Sequence, residues 1–168
     1  MSKLDKIKEK IYSVDHLVSA LNVWRLLEKK IVFTNGCFDL LHLGHIDYLS
    51  KAADMGDKLI IGLNSDASTS ALKGEGRPIT DQVSRSIMLA SLSFVDAVII
   101  FDDPDPLNLI KLLRPDILVK GADYSFEQIV GADFVSEYGG SVKTIPYLRG
   151  YSTTLIEQKI RSSSQNFQ

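Results

Sequence analysis

Five short apolar runs, separated by segments with helical spacing, constrain the fold of this chain more than any other feature. The runs are rich in Ile, Val and Leu, a composition that suits strands covered on both faces. Strands joined by crossover helices must lie parallel to one another. The pattern predicts a doubly wound α/β domain with a parallel sheet of about five strands, formed by residues 31–34, 58–64, 96–101, 116–121 and 141–146.

Most of the segments between these runs show the i, i+3 and i+4 spacing of amphipathic helices. Apolar faces define two of these helices: Leu43, Ile46, Leu49 and Ala53 in the first, and Val83, Ile87, Ala90 and Phe94 in the second. A third helix is predicted to start at the capping pair Asp105 and Pro106 and to stop before Pro115. A fourth is predicted over about residues 127–138, ended by two glycines.

Two further segments complete the predicted organisation. Residues 14–29 have the pattern of an amphipathic helix that packs on the outside of the sheet, so residues 1–29 are predicted to form an N-terminal helical extension and residues 30–168 the main domain. Residues 65–80 are polar and rich in Ser, Thr and Gly. This composition predicts a mobile loop.

Composition and charge limit the classes of partner that the chain is expected to bind. A chain of 168 residues with 45% hydrophobic residues can form one globular core. The net charge of -2 argues against a broad nucleic-acid or anionic-membrane surface. With Cys37 as its one cysteine the chain cannot form an intrachain disulfide, and its first twenty residues resemble neither a signal peptide nor a membrane span. A cytoplasmic location is therefore expected.

The segment that follows the first predicted strand carries the chemistry. Ligands of open α/β sheets bind beyond the carboxyl ends of the strands, where the strand order reverses. Here the strand leads into NGCFDLLHLGH, residues 35–45, and then into a helix. His42 and His45 would share one face at the start of that helix, where free backbone N–H groups favour anions. Gly44 would allow a phosphate or nucleobase to approach the backbone, and Gly36 would allow a turn. The segment therefore predicts a site that binds phosphate groups.

Other interpretations of the histidine pair stay open on the residues alone. Two histidines at this spacing are often surface or core residues without a function. A zinc site that also uses Cys37 and Asp47 is a second alternative, but structural zinc usually needs four ligands, and the usual cysteine spacings are absent.

The sequence GCFDLLHLGH, residues 36–45, resembles the GxFDxxHxGH signature of the cytidylyltransferase-like nucleotidyltransferases. Further motifs are similar to the branch that makes ADP-heptose from D-glycero-β-D-manno-heptose 1-phosphate. They are GLNSDAS (62–68), LKGEGRP (72–78), the helix with Arg85, VKGADY (119–124) and GYSTT (150–154), in order over about residues 30–162. The resemblance implies a Rossmann-like fold of the HIGH superfamily and transfer of AMP from ATP, with Mg²⁺ entering with the nucleotide and with release of pyrophosphate.

Two positions depart from related patterns. Ala122 stands where family members often have glycine, and Tyr147 stands where glycerol-3-phosphate cytidylyltransferases carry an arginine, with Arg149 two residues later. The tyrosine in place of that arginine favours the heptose branch over the CTP-dependent one. Glycerol-3-phosphate cytidylyltransferase, another nucleotidyltransferase of the same fold and a nucleotide-binding regulator without catalysis are the alternatives.

The resemblance also implies the site. His42, His45, Lys73 and Arg85 would be catalytic, with Arg77 as a further cation for the phosphates. Ser152, Thr153 and Thr154 open the last helix, where Thr154 and Glu157 fit a capping box. Asp39 would orient the loop or a magnesium ion, and no metal ligand is assigned. Relatives imply a homodimer. The nucleotide-binding residues would be Thr34, Asn35, Gly36, Cys37, Phe38, His42, Gly44, His45, Lys120, Gly121, Asp123, Ser152, Thr153 and Thr154.

Overall fold

The computed structural model describes residues 1–122 and 125–165. Within them, five parallel strands form one sheet in the order β3-β2-β1-β4-β5. The strands are β1 (Ile31–Gly36), β2 (Lys58–Asn64), β3 (Ala97–Phe101), β4 (Ile117–Gly121) and β5 (Ser141–Ile145). The order reverses between β1 and β4. This arrangement confirms the predicted doubly wound, Rossmann-like α/β fold with about five strands.

Helices connect the strands and cover both faces of the sheet. They are α1 (Lys3–Lys8), α2 (Val14–Leu26), α3 (Leu43–Ala53), α4 (Asp66–Lys73), α5 (Gln82–Ala90), α6 (Leu107–Leu113), α7 (Ala132–Glu137) and α8 (Thr153–Gln165), with a 3₁₀ turn at Phe126–Gln128. The predicted capping pair lies one residue too early: Pro106 is the N-cap of α6 and not its first helical residue. Asp105, just before it, accepts a hydrogen bond from the N–H of Leu107 at 2.8 Å.

Successive side chains of each strand point to opposite faces, and this produces two cores. On one face Phe33 and Leu118 pack against α2, α6 and α7. On the other face Val32 and Val119 pack against α3 and α5. The alternation matters for the site, because it decides on which side of the sheet each polar residue at the ends of β1 and β4 lies.

Two predicted segments differ from the structure. Residues 66–73 of the predicted mobile loop form helix α4, because Ser65 caps its start by accepting a hydrogen bond from the N–H of Ser68. The predicted helix over residues 127–138 is instead a 3₁₀ turn followed by the shorter α7. Gly131 separates the two with φ +84°, and a side chain there would meet Ile110 at 2.8 Å.

The buried faces of α3 and α5 are also rotated from the predicted ones. Leu43 and Val83 are 50% and 59% exposed. In α3 the buried side chains include Tyr48 and Leu49, and in α5 they include the polar Arg85 and Ser86. In α5 these buried polar residues, which the apolar spacing does not reveal, explain the difference.

The N-terminal segment shares the core of the sheet. Leu17 and Leu21 of α2 are fully buried in the same cluster as Phe33. Before α2, Ile11 forms a parallel bridge with Val98, where the N–H of Tyr12 donates to the carbonyl of Val98 at 2.9 Å. The segment therefore extends the sheet beside β3 in addition to covering one face.

Candidate active site

A cavity of about 510 Å³ opens at the carboxyl ends of β1, β2 and β4. Its position beside the reversal of strand order is where open α/β sheets bind ligands. Many predicted site residues line it: Asn35, Gly36, Cys37, Phe38, His45, Lys73, Lys120, Gly121, Thr153 and Thr154. The structure therefore brings together residues that are up to 119 positions apart, from Asn35 to Thr154. Their roles remain predictions.

Helix α3 begins at the histidine pair. His42 is the N-cap, and its Nδ1 accepts a hydrogen bond from the N–H of His45 at 3.3 Å. The two rings stack at a centroid distance of 3.8 Å, and Phe38 contacts the His45 ring edge-on at 5.3 Å. Because Nδ1 of His42 accepts a hydrogen bond, the proton of its neutral ring resides on Nε2.

Burial disfavours the charged form of both histidines. Burial lowers the pKa of His45 to about 4, with a smaller contribution from His42, and burial also lowers the pKa of His42. Nδ1 of His45 is buried and has no hydrogen-bond partner among residues 1–122 and 125–165. Such an atom at the wall of a cavity is suited to a polar ligand.

Gly44 has a different use from the predicted one. A side chain at this position would meet the His42 ring at 3.0 Å and Cβ of Tyr151 at 3.1 Å. The space beside its backbone is therefore filled by protein, which lets the His42 ring fold back over the helix start. Gly36 similarly makes room for the ring of Phe38, 3.1 Å from where a side chain would begin.

Asp39 fixes the loop after β1. Its carboxylate accepts hydrogen bonds from the N–H groups of Ile79 and Thr80 at 2.8 and 2.9 Å and from Arg77 at 2.8 Å. Burial opposes ionisation of Asp39, but these donors outweigh it and lower the pKa of the carboxyl group. Of the two predicted roles, the contacts correspond to orientation of the loop.

Arg77 is an ion-paired cation. It contacts Asp39 on one side and Glu157 of α8 on the other. The capping box predicted for Thr154 and Glu157 is absent, because Glu157 pairs with Arg77 and α8 is instead capped by Ser152, which accepts a hydrogen bond from the N–H of Leu155 at 3.1 Å. Arg77 thus joins the loop at residues 75–80 to the last helix.

Arg85 does not face the cavity, contrary to its predicted contact with phosphates. Its side chain is fully buried and donates to the carbonyl groups of Thr80 and Asn64, both at 2.8 Å, and of Cys37, and it pairs with Asp66 at 2.7 Å. The guanidinium has several donors in a fixed geometry, and here they hold three segments of the chain together, at residue 37, at residues 64–66 and at residue 80.

Other predicted residues lie beside the cavity or outside the described chain. Thr34 is buried and shares a hydrogen bond of 2.7 Å with the hydroxyl of Tyr48. Ser152 caps α8, whose first-turn residues Thr153 and Thr154 line the cavity. Asp123 lies outside the described residues.

Sequence inspection missed four lining residues: Tyr48, Asn64, Thr69 and Leu72. Sequence position could have identified two of them. Asn64 ends a predicted strand at the carboxyl edge, and Tyr48 lies one helical turn after His45. Thr69 and Leu72 belong to α4, which the polar composition concealed. Tyr147, noted above only as a departure, also lines the cavity, near Tyr48 at a centroid distance of 6.0 Å.

The sequence model of the cytidylyltransferase-like family matches residues 33–164, a range that contains the whole cavity wall. This chain belongs to the cytidylyltransferase-like family. As a member of that family it is a nucleotidyltransferase.

Curated relatives of this cytidylyltransferase-like chain include proteins named bifunctional protein HldE. The one from Geobacter metallireducens is 52% identical over 151 residues, which cover 90% of this chain and 31% of the relative. The one from Campylobacter fetus is 54% identical over 160 residues, covering 95% and 33%. The chain thus spans about a third of the length of the relatives it matches.

Solved structures show the same fold. A lipopolysaccharide core biosynthesis protein from Thermoplasma volcanium is 31% identical, with a TM-score of 0.60, and the match covers 74% of this chain and 99% of that one. A pantoate-beta-alanine ligase from Francisella tularensis is 18% identical with a TM-score of 0.60, covering 90% and 76%, and this likeness concerns the fold alone.

No three His, Cys, Asp or Glu side chains are grouped to hold a metal ion within the described ranges, so Cys37 and Asp47 do not complete a zinc site with the histidines there. No helix in the same part of the chain is long and apolar enough to cross a membrane.

Proposed function

We propose that the chain transfers AMP from ATP to D-glycero-β-D-manno-heptose 1-phosphate, forming ADP-heptose and pyrophosphate. The observation that carries the proposal is one cavity that joins His45 at the start of α3, the first turn of α8 and two lysines, Lys73 and Lys120. Each of these is a donor to phosphate. The choice of heptose rests on the motif set and on the identity to HldE proteins.

The reaction is an in-line displacement at the α-phosphorus of ATP. An oxygen of the sugar 1-phosphate forms the new P–O bond as the bond to the bridging oxygen of pyrophosphate breaks, and the electron pair leaves with pyrophosphate. The attacking phosphate is already an anion, so no strong base is required. The work of the protein is to bring anions together and to stabilise the charge of the transferring group.

The neutral histidine pair suits this task. A triphosphate beside the rings opposes the effect of burial and raises their pKa values, because a nearby negative charge favours the imidazolium form. His45 on the cavity wall, with the His42 ring stacked on it, can therefore donate to a phosphate oxygen without repelling other cations before the substrate arrives. The N-termini of α3 and α8 add backbone N–H groups and hydroxyl groups on the same wall.

Magnesium would enter with the nucleotide. Asp39 is the one carboxylate among the described residues of the cavity wall, and it is occupied by Arg77 and two backbone N–H groups. The triphosphate and water are thus the main ligands available to Mg²⁺, which commonly keeps several waters. When bound, it would neutralise charge on the phosphates.

Pyrophosphate release tests the function. Native protein is assayed with ATP or CTP against a panel of heptose, hexose and polyol phosphates. The proposal expects turnover with ATP and heptose 1-phosphate. Turnover with CTP and glycerol 3-phosphate would instead support the cytidylyltransferase alternative, and ATP binding without pyrophosphate release from any acceptor would support a regulator.

His45→Ala tests the assigned chemistry. Loss of one preorganised donor to a transition-state oxygen lowers turnover by about 10²–10³-fold. His16→Ala is the matched control, since His16 is exposed on α2 away from the cavity, and it should keep native activity. Equal activity of the two variants would contradict the role of His45.

A further inference from the structure

Lys120 is one of the two cavity lysines to which the mechanism above assigns no particular phosphate group. It lies near the end of β4, is partly buried and lines the cavity. Its Nζ donates to Oδ1 of Asn35, near the end of β1. Burial lowers the pKa of Lys120 to about 8. Lys73, by contrast, is exposed at the end of α4.

Lys120 has no carboxylate partner among the described residues. The titratable side chains that share its cavity are Cys37, Asp39, His45, Tyr48, Lys73, Arg77 and Tyr147. Of these Asp39 is the acid, and its charge is balanced by Arg77. A buried amine that hydrogen-bonds to a neutral amide is held in place without being neutralised, so an anionic ligand is favoured beside it.

The alternation of β1 and β4 places Lys120 on a definite side of the sheet. Phe33 and Leu118 face the core with α2, α6 and α7, and Asn35 and Lys120 follow them by two residues, so they point to the same side. His45 opens α3, which covers the opposite side. At the carboxyl ends of the strands the cavity therefore extends from one face of the sheet to the other, with His45 on one side and Lys120 on the opposite side.

We propose that Lys120 binds the phosphate of the sugar 1-phosphate acceptor, with Asn35 holding its ammonium group in position. In an in-line displacement the attacking and leaving oxygens lie on opposite sides of the α-phosphorus. If the triphosphate tail lies on the side of His45 and the helix N-termini, the acceptor phosphate approaches from the side of Lys120. This assignment rests on the proposed function and names the residue that receives the second substrate.

Steady-state kinetics of the full chain test the assignment. ATP and heptose 1-phosphate are varied separately for Lys120→Met, with Lys143→Met as control, because Lys143 is an exposed lysine on the neighbouring strand β5. Loss of a charged contact with phosphate should raise the KM for the acceptor about 10- to 100-fold, with the KM for ATP changed less than about 3-fold. A rise in the KM for ATP alone would overturn the assignment.

The pH dependence separates direct binding from a structural role. Lysine is charged below its pKa, so the KM of native protein for the acceptor should rise as the pH passes about 8. In Lys120→Arg the guanidinium stays charged, and that rise should disappear. Persistence of the same rise in Lys120→Arg would overturn the proposal.

A second variant keeps the test valid if Lys120→Met fails to fold, which circular dichroism would show. Asn35→Asp leaves the amine in place but adds a carboxylate that competes with the acceptor phosphate. It should raise the KM for the acceptor about 10-fold or more. An unchanged KM for the acceptor would overturn the assignment.

The proposed function and the assignment of Lys120 can fail independently. Failure of the proposed function would appear as the absence of product when native protein is given ATP and heptose 1-phosphate. Binding of inorganic phosphate is then measured by calorimetry. Loss of phosphate binding in Lys120→Met with ATP binding retained supports the site, and equal phosphate binding in both proteins overturns it.

Discussion

Two arginines and two lysines lie around the cavity, and they differ in what their charged groups contact. Arg77 and Arg85 are satisfied by protein: one joins Asp39 to Glu157, and the other joins Asp66 to three carbonyl groups. Lys73 and Lys120 line the cavity without a carboxylate partner in the part of the chain that the structure describes. The paired cations build the wall, and the lysines without a carboxylate partner are the cations that the proposed function assigns to phosphates.

The largest expected effect is a loss of stability when the Arg85 side chain is replaced. Arg85→Met leaves the carbonyls of Cys37, Asn64 and Thr80 without their donors and Asp66 without its partner, which should cost about 3–5 kcal/mol of unfolding free energy. Urea unfolding measures it. A variant that keeps native stability but loses activity would show that Arg85 touches substrate, and the comparison between arginines and lysines would fail.

A smaller effect concerns the pH dependence of stability. The unfolded His45 takes up a proton as the pH falls below about 6.5, whereas the folded residue does so only near 4, where its lowered pKa lies. The free energy of unfolding should therefore fall between pH 6.5 and pH 4, by about 2–3 kcal/mol from this residue.

Urea unfolding of His45→Gln at several pH values should show a flatter curve in that interval. The exposed His16 provides the control, because His16→Gln should keep the native pH dependence. Equal curves for native protein and His45→Gln would contradict the inference that the ring is buried in its neutral form.

The smallest effects concern ion pairs nearer the surface. Glu157→Gln breaks the pair between α8 and Arg77 and should cost about 1 kcal/mol, with a higher KM for ATP because α8 supplies part of the cavity wall. Lys51→Gln removes the exposed pair with Asp47 within α3 and should cost less than about 0.5 kcal/mol, without a change in KM. Equal effects of both on KM would mean that the Arg77 contact does not shape the cavity.

The sequence predicted the sheet and most of the cavity wall, for physical reasons that particular residues show. The Ile, Val and Leu runs identify buried parallel strands, and the histidine pair after the first strand marks the site. Arg85 could not be assigned, because a guanidinium that pairs with carbonyl groups from distant segments leaves no local pattern. Helix α4 was hidden for a related reason: its buried Ser68 and Thr69 are polar, so the apolar spacing of a helix is absent.

The bridge between Ile11 and Val98 has a consequence for the solution behaviour of shortened chains. β3 is an outer strand of the sheet, and the backbone of residues 10–12 occupies groups that would otherwise be open to another chain. Outer strands with unpaired backbone groups are templates for aggregation. A protein that begins after residue 12 would keep its cavity residues but expose the edge of β3. Aggregation of such a protein would therefore result from the exposed strand and not from a change in the cavity.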